Sequence, residues 1–146
     1  MRKMFCGVLI ACVLAGTATK AETILGGQSG GILTYLDAPT HGASVSAPFL
    51  HFDGWAFNCY TGNVPTSIFL YRWDGTNMIS VPVTTYVVSR HDVATVYQSY
   101  CPNIWDGVGI MVYPNSTEPV GYNQYYLFIS DSSGTVVLAQ EVNVTN

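Results

Sequence analysis

Charge is what this sequence most lacks. Only 10% of its 146 residues are Asp, Glu, Lys or Arg, and 5 of those are cations. Arg2, Lys3 and Lys20 all fall before Ala21, so the rest of the chain has no lysine and only Arg72 and Arg90. Against them stand Glu22, Asp37, Asp53, Asp74, Asp92, Asp106, Glu118, Asp131 and Glu141, and 2 arginines against these 9 acids give a net charge near −7. Binding a phosphate backbone requires clustered Lys or Arg to displace counterions. Nucleic acid, heparin-like polyanions and anionic lipid surfaces are excluded as partners on that ground.

Long apolar runs are scarce as well. No segment reaches the roughly 18 to 20 uninterrupted apolar residues of a spanning helix, so no membrane insertion is expected. No stretch of ten or more residues shows helical periodicity, and no repeat of solenoid or propeller length occurs. Cysteine is sparse: of 4 in all, Cys6 and Cys12 lie near the start, leaving Cys59 and Cys101. Neither has a Cys or His two to four residues away, the usual spacing of a zinc site, so no metal or other cofactor is expected. An isolated pair in an exported chain forms a disulfide.

Export is expected from residues 1–21. Arg2 and Lys3 precede an apolar run from Met4 to about Ala15, followed by small residues and a cleavage position after Ala21, with Ala18 as an alternative. The run Leu9-Ile10-Ala11-Cys12 offers a lipoprotein-type site with Cys12 lipidated as a competing reading. Residues 22–31, ETILGGQSGG, read as a flexible Gly-rich leader, and residues 32–146 as one domain.

Within that domain, β-rich runs alternate with turn residues every 8 to 12 positions or so, as in an all-β sandwich. Seven strands are expected: Ile32 to Leu36, Phe49 to Phe57, Ser67 to Trp73, Met78 to Val88, Val108 to Tyr113, Gln124 to Ser130 and Thr135 to Asn143. Asp74-Gly75-Thr76-Asn77 is a hairpin turn, and Asp131-Ser132-Ser133-Gly134 offers another. Pro82 inside the fourth run makes it an edge strand or two pieces. One short helical turn is expected at Asp92 to Tyr97, with Asp92 as its N-cap.

Motifs for catalysis fail on context. Gly27-Gln28-Ser29-Gly30-Gly31 matches the G-x-S-x-G elbow by letter but lacks the strand before it and the helix after it. His41, His51 and His91 have no metalloprotease spacing. The Asp residues sit at turns or strand ends, where local backbone hydrogen bonds favour them.

The pattern Tyr35-Leu36-Asp37-Ala38-Pro39, then Gly42 and Val45, Gly54-Trp55-Ala56-Phe57, the Asp-Gly hairpin, Ser89-Arg90-x-Asp92-Val93 and a Tyr-Leu-Phe strand before Asp131-x-x-Gly134 resembles a bacterial immunoglobulin-like domain of secreted and cell-surface proteins. The resemblance implies an antiparallel Greek-key immunoglobulin-like β-sandwich and an accessory or binding role, with no shared catalytic residues. His91 where Pro is common, and the Cys59–Cys101 pair, depart from the pattern.

From the residues themselves, Trp55 is expected to fill the core beside Gly54 and Ala56, and Arg90 paired with Asp92 to pin a long connection. Tyr97, Tyr100 and Trp105 cluster around Cys101 in that connection, where ordinary packing under the disulfide is the expectation and an exposed ligand surface the alternative. The expected function is a non-enzymatic binding or adhesion module for a glycan or a protein surface, or at its plainest a structural cell-surface domain. The alternative is a small secreted hydrolase, which would need a cleft joining His51 or His91 to two acids. Oligomeric state is left open by these features.

Overall fold

The computed structural model describes residues 26–146. The signal peptide at 1–21 and positions 22–25 of the leader lie outside the described residues. The rest folds as two five-stranded sheets packed face to face, in the orders β1-β2-β4-β8-β7 and β3-β10-β9-β5-β6. The strands are β1 (Gly26–Ser29), β2 (Ile32–Ala38), β3 (Ala43–Ser46), β4 (Phe52–Asn58), β5 (Ser67–Trp73), β6 (Met78–Val81), β7 (Val83–Val88), β8 (Gly109–Pro114), β9 (Gly121–Asp131) and β10 (Gly134–Thr145). One helix, α1 (His91–Tyr97), follows β7. This strand order is that of an immunoglobulin-like Greek-key sandwich, with β2-β4-β8-β7 on one side and β10-β9-β5-β6 on the other.

Three expectations need correction. Ten strands form, where seven are expected. The described part of the leader is a strand: β1 pairs antiparallel with β2 through a tight turn in which Gly30 takes a φ of +57°. Pairing is antiparallel except that β3 runs parallel to β10, because the chain crosses between sheets after β2 and meets the last strand in the same direction.

Turn chemistry accounts for the hairpins. Asp74 Oδ1 accepts from the amides of Thr76 and Asn77, both at 2.7 Å, while Gly75 adopts a φ of +99°. Asp131 Oδ1 likewise accepts from Ser133 N at 2.7 Å between β9 and β10. Pro82 ends β6 in one sheet, and the chain resumes as β7 in the other. Its carbonyl accepts from Asn115 N at 2.8 Å, which holds the crossing point.

Alternation builds the core. Ile32 and Leu36, Phe52 and Ala56, and Ile110 and Val112 face inward from the first sheet onto Leu70, Leu127, Ile129, Leu138 and Val142 of the second. At one end of this core Glu118, 5% exposed, accepts from Arg72 Nε at 3.1 Å and Tyr125 OH at 3.1 Å. Burial, and next the Glu118 charge, push the Tyr125 phenol up, so it stays protonated as a donor. Asn58 ties the other end: its Nδ2 donates to Asp131 Oδ2 at 2.9 Å and Ser133 Oγ at 3.0 Å, joining β4 to the β9–β10 turn.

Two outcomes test these contacts. Glu118→Ala removes the buried acceptor of the half-buried Arg72 guanidinium and of the Tyr125 hydroxyl, and should cost about 1 to 3 kcal/mol in urea unfolding. The Cys59–Cys101 disulfide closes a loop across a sequence separation of 42. Reducing it, or replacing both cysteines by Ser, should cost about 3 to 4 kcal/mol through the unfolded state.

Candidate functional site

A sandwich buries its two inner faces against each other and leaves two outer faces to be covered or exposed. On β4 the residues alternate, so Phe52, Gly54 and Ala56 face the main core while Asp53, Trp55 and Phe57 face outward. Trp55 is therefore not in the main core, and Gly54 and Ala56 do not make room for it, because they point to the opposite side of the sheet. It lies on the outer face of the first sheet in a second cluster with Phe57, Val93, Val108, Cys101 and Tyr97. Its ring centroid is 5.7 Å from that of Phe57 and 5.3 Å from that of Tyr97.

The helix and the disulfide make this cover. Cys59 at the end of β4 bonds Cys101 just past α1, and Val93 of the helix is buried against Phe57. The N-cap position is Arg90, and Asp92 lies in the first turn, so Asp92 does not cap the helix. Its carboxylate takes both Arg90 Nε and Nη2, at 2.9 and 2.8 Å, while Arg90 Nη1 donates to Asp37 Oδ2 at 2.6 Å. The Arg90 hydrogen bonds hold the Asp92 carboxyl down at about 2, and the two carboxylates push the guanidinium up. Arg90 thus pins the β7–α1 connection to β2.

The three expected ligand-surface aromatics separate. Tyr97 packs beneath the helix on Trp55 and Phe57, so it belongs to the cover. Tyr100 and Trp105 are 78% and 53% exposed, and the Trp105 ring folds back over Gly107.

Beside the cover, the outer face of the first sheet holds a groove of about 390 Å³ lined by Asp37, Asp53, Arg90, Val88, Gly54 and Met111, among others. Asp53 Oδ2 meets His51 Nε2 at 3.1 Å, whereas its Oδ1 is buried without a hydrogen-bond partner. His51 Nδ1 lies 2.8 Å from Phe49 O. His91 meets a single acid, Asp106, at 3.2 Å. No group of three or more potential metal-ligating side chains occurs among the described residues.

Among the described residues, no helix lies on the outer face of the second sheet. Phe69, Tyr71 and Trp73 point outward from β5, with Phe69 opposite Phe128, Tyr71 opposite Tyr126 and Trp73 opposite Met78. Val137 of β10 continues the Phe69–Phe128 row. Phe69 is 53% exposed, and a hollow of about 320 Å³ lies between Phe69, Tyr71, Met78, Phe128, Ser130 and Thr135. The Tyr71 and Phe128 rings meet edge to face at 5.3 Å. The sequence signal for this face was the alternation Phe69-x-Tyr71-x-Trp73; which side of β5 the rings take is set only by which side the core occupies.

No family model matches the chain. No curated protein matches it either. Among solved structures it is similar to an engineered protein, at 14% identity and a TM-score of 0.43 over 79% of this chain, which spans 20% of that one. It is also similar to PcoC, a copper resistance protein from Escherichia coli, at 11% identity and a TM-score of 0.42, covering 82% of this chain and 100% of that one. A chimeric titin Z1Z2 carrying a peptide from decorin gives 16% identity and a TM-score of 0.39, with 77% and 93% covered.

A depressed carboxyl makes acid stability the readout for the Arg90 anchor. The folded-state value for Asp92 lies below the unfolded one, so its contribution is present above about pH 4 and is lost as pH falls toward 2. Asp92→Asn should flatten the melting-temperature profile over that window, measured by thermal unfolding at successive pH values, and leave it parallel to wild type at neutral pH.

Proposed function

We propose that this protein is a non-enzymatic binding and adhesion module, exported from a bacterial cell, that attaches to an uncharged glycan through the outer face of its second sheet. The observation that carries this reading is the contrast between the two outer faces: one lies partly under a helix held by a disulfide, while on the other no helix of the described residues covers Phe69, Tyr71, Trp73 and Phe128. Exposed apolar patches of this kind mark interaction surfaces. Apart from Glu141 at one margin, the side chains named on this face are uncharged, so rings stacking on the apolar faces of neutral sugars suit it, with Tyr hydroxyls available for their polar edges. Export is consistent with the disulfide and with the absence, among the described residues, of any helix long and apolar enough to cross a membrane.

A hydrolase is the second reading, favoured by one observation: Asp37 and Asp53 share a groove, with His51 on Asp53. Against it, Asp37 is already held by Arg90 at the groove margin.

A glycan array followed by calorimetry tests the binding reading. Phe69→Ser should weaken the best glycan by about 1 to 3 kcal/mol with the fold retained, and Trp105→Ala should leave affinity unchanged. The opposite order would return the site to the Tyr100–Trp105 connection. Glycan turnover abolished by Asp53→Asn would instead establish the hydrolase.

A further inference from the structure

One lateral wall of the sandwich is built from strand edges that no other described strand pairs. The chain leaves the second sheet as β6 and enters the first as β7, so the edges of both sheets adjoin on the side where Pro82 crosses between them. From Gly75 to Ser89 this wall contains no charged residue. Edge strands in soluble proteins are ordinarily blunted by lysine, proline, an inward charge, a bulge or extreme shortness. Pro82 stands just before β7, and within Val83–Val88 none of these occurs. β7 is six residues long, pairs with β8 in unbroken register, and presents Tyr86 and Val87 at 56% and 51% exposure. The other edges, β1, β3 and β6, are each four residues long.

We propose that β7 is the site where a second copy of this chain adds to the sheet, forming a twofold dimer by antiparallel β7–β7 pairing. The charge pattern selects the occupant. Residues 22–146 carry 9 acids against 2 arginines, so a face that holds acids sets acid against acid when brought against its own image, whereas β7 meets its image with no charge on either side. Side-chain direction selects the register. Opposed residues in an antiparallel pair point to the same face, so a twofold through Thr85 places Thr84 opposite Tyr86 and Val83 opposite Val87. Each residue then meets one from its own face, and Val87, left bare at the edge, is covered by Val83 of the other copy. The pairing is isologous and closes at two copies.

Sedimentation velocity on the disulfide-intact mature protein, from about 1 µM to about 1 mM, should show a reversible monomer–dimer equilibrium. Thr85→Lys sets two ammonium groups against each other at the twofold and should weaken the dimer at least roughly tenfold, with the melting transition retained. Thr85→Glu should do the same. Mixing the two variants should restore a dimer, because the opposed charges are then complementary. A wild type that stays monomeric, a dimer indifferent to both substitutions, or variants that fail to associate on mixing would overturn the proposal. A dimer abolished by Phe69→Ser and kept by Thr85→Lys would overturn it too, placing self-association on the second sheet's outer face. Glycan binding lost in Phe69→Ser with the dimer intact separates this edge from the ligand surface.

Discussion

The bond between Cys59 and Cys101 is the constraint on which the asymmetry of this molecule depends. It joins the end of β4 to the segment just past α1, and so holds a seven-residue helix flat on a sheet it would otherwise leave. A helix that short has no stability of its own in water. With it in place, Phe57 and Trp55, which the pleat turns away from the main core, have something to pack against. Just before the helix, Arg90 reaches Asp37 and forms part of the groove lined by Asp37, Asp53 and Met111.

On the opposite sheet no such device occurs among the described residues, and the consequence is a surface of rings. β5, β9 and β10 bury Leu70, Leu127 and Leu138 inward, and the alternate residues stand outside. A sheet face with one side on a core ordinarily reads hydrophobic in and polar out. Here the outward set on β5 is Phe69, Tyr71 and Trp73, a local departure of the kind expected where a surface is meant to be covered by a ligand or partner.

Polar contacts inside the fold are few and well placed. Arg72, one of the two cations beyond the leader, is spent on Glu118, and Arg90 on Asp37 and Asp92. Asn58 satisfies both ends of its amide, accepting from Tyr60 N at 2.9 Å and donating to Asp131 and Ser133. Asp131 answers two demands: burial raises its carboxyl, and hydrogen bonds from Ser133 and Asn58 more than offset that, leaving it lowered. The scarcity of charge leaves no spare cation among the described residues for an anionic ligand, in keeping with a neutral one.

Local chemistry alone determined a good deal: the sandwich class, from short β-rich runs and turn residues; the Asp74 and Asp131 hairpins; the break at Pro82; and the cysteine pair. Each of these follows from a backbone preference or a missing donor within a few residues. Only the tertiary structure decided which face each alternating residue takes. Trp55 looked like core because it is large and flanked by small residues, yet period-two alternation puts it on the side opposite Ala56. Tyr97 could be read as packing or as ligand surface and is part of the helix cover, while Asp92 is the expected partner of Arg90 without being the expected cap. β1 was invisible because GGQS has little strand propensity; it is a strand because β2 offers it a free edge. Face and pairing are set by contacts between residues far apart in the chain, and a linear sequence carries those only through the fold they make together.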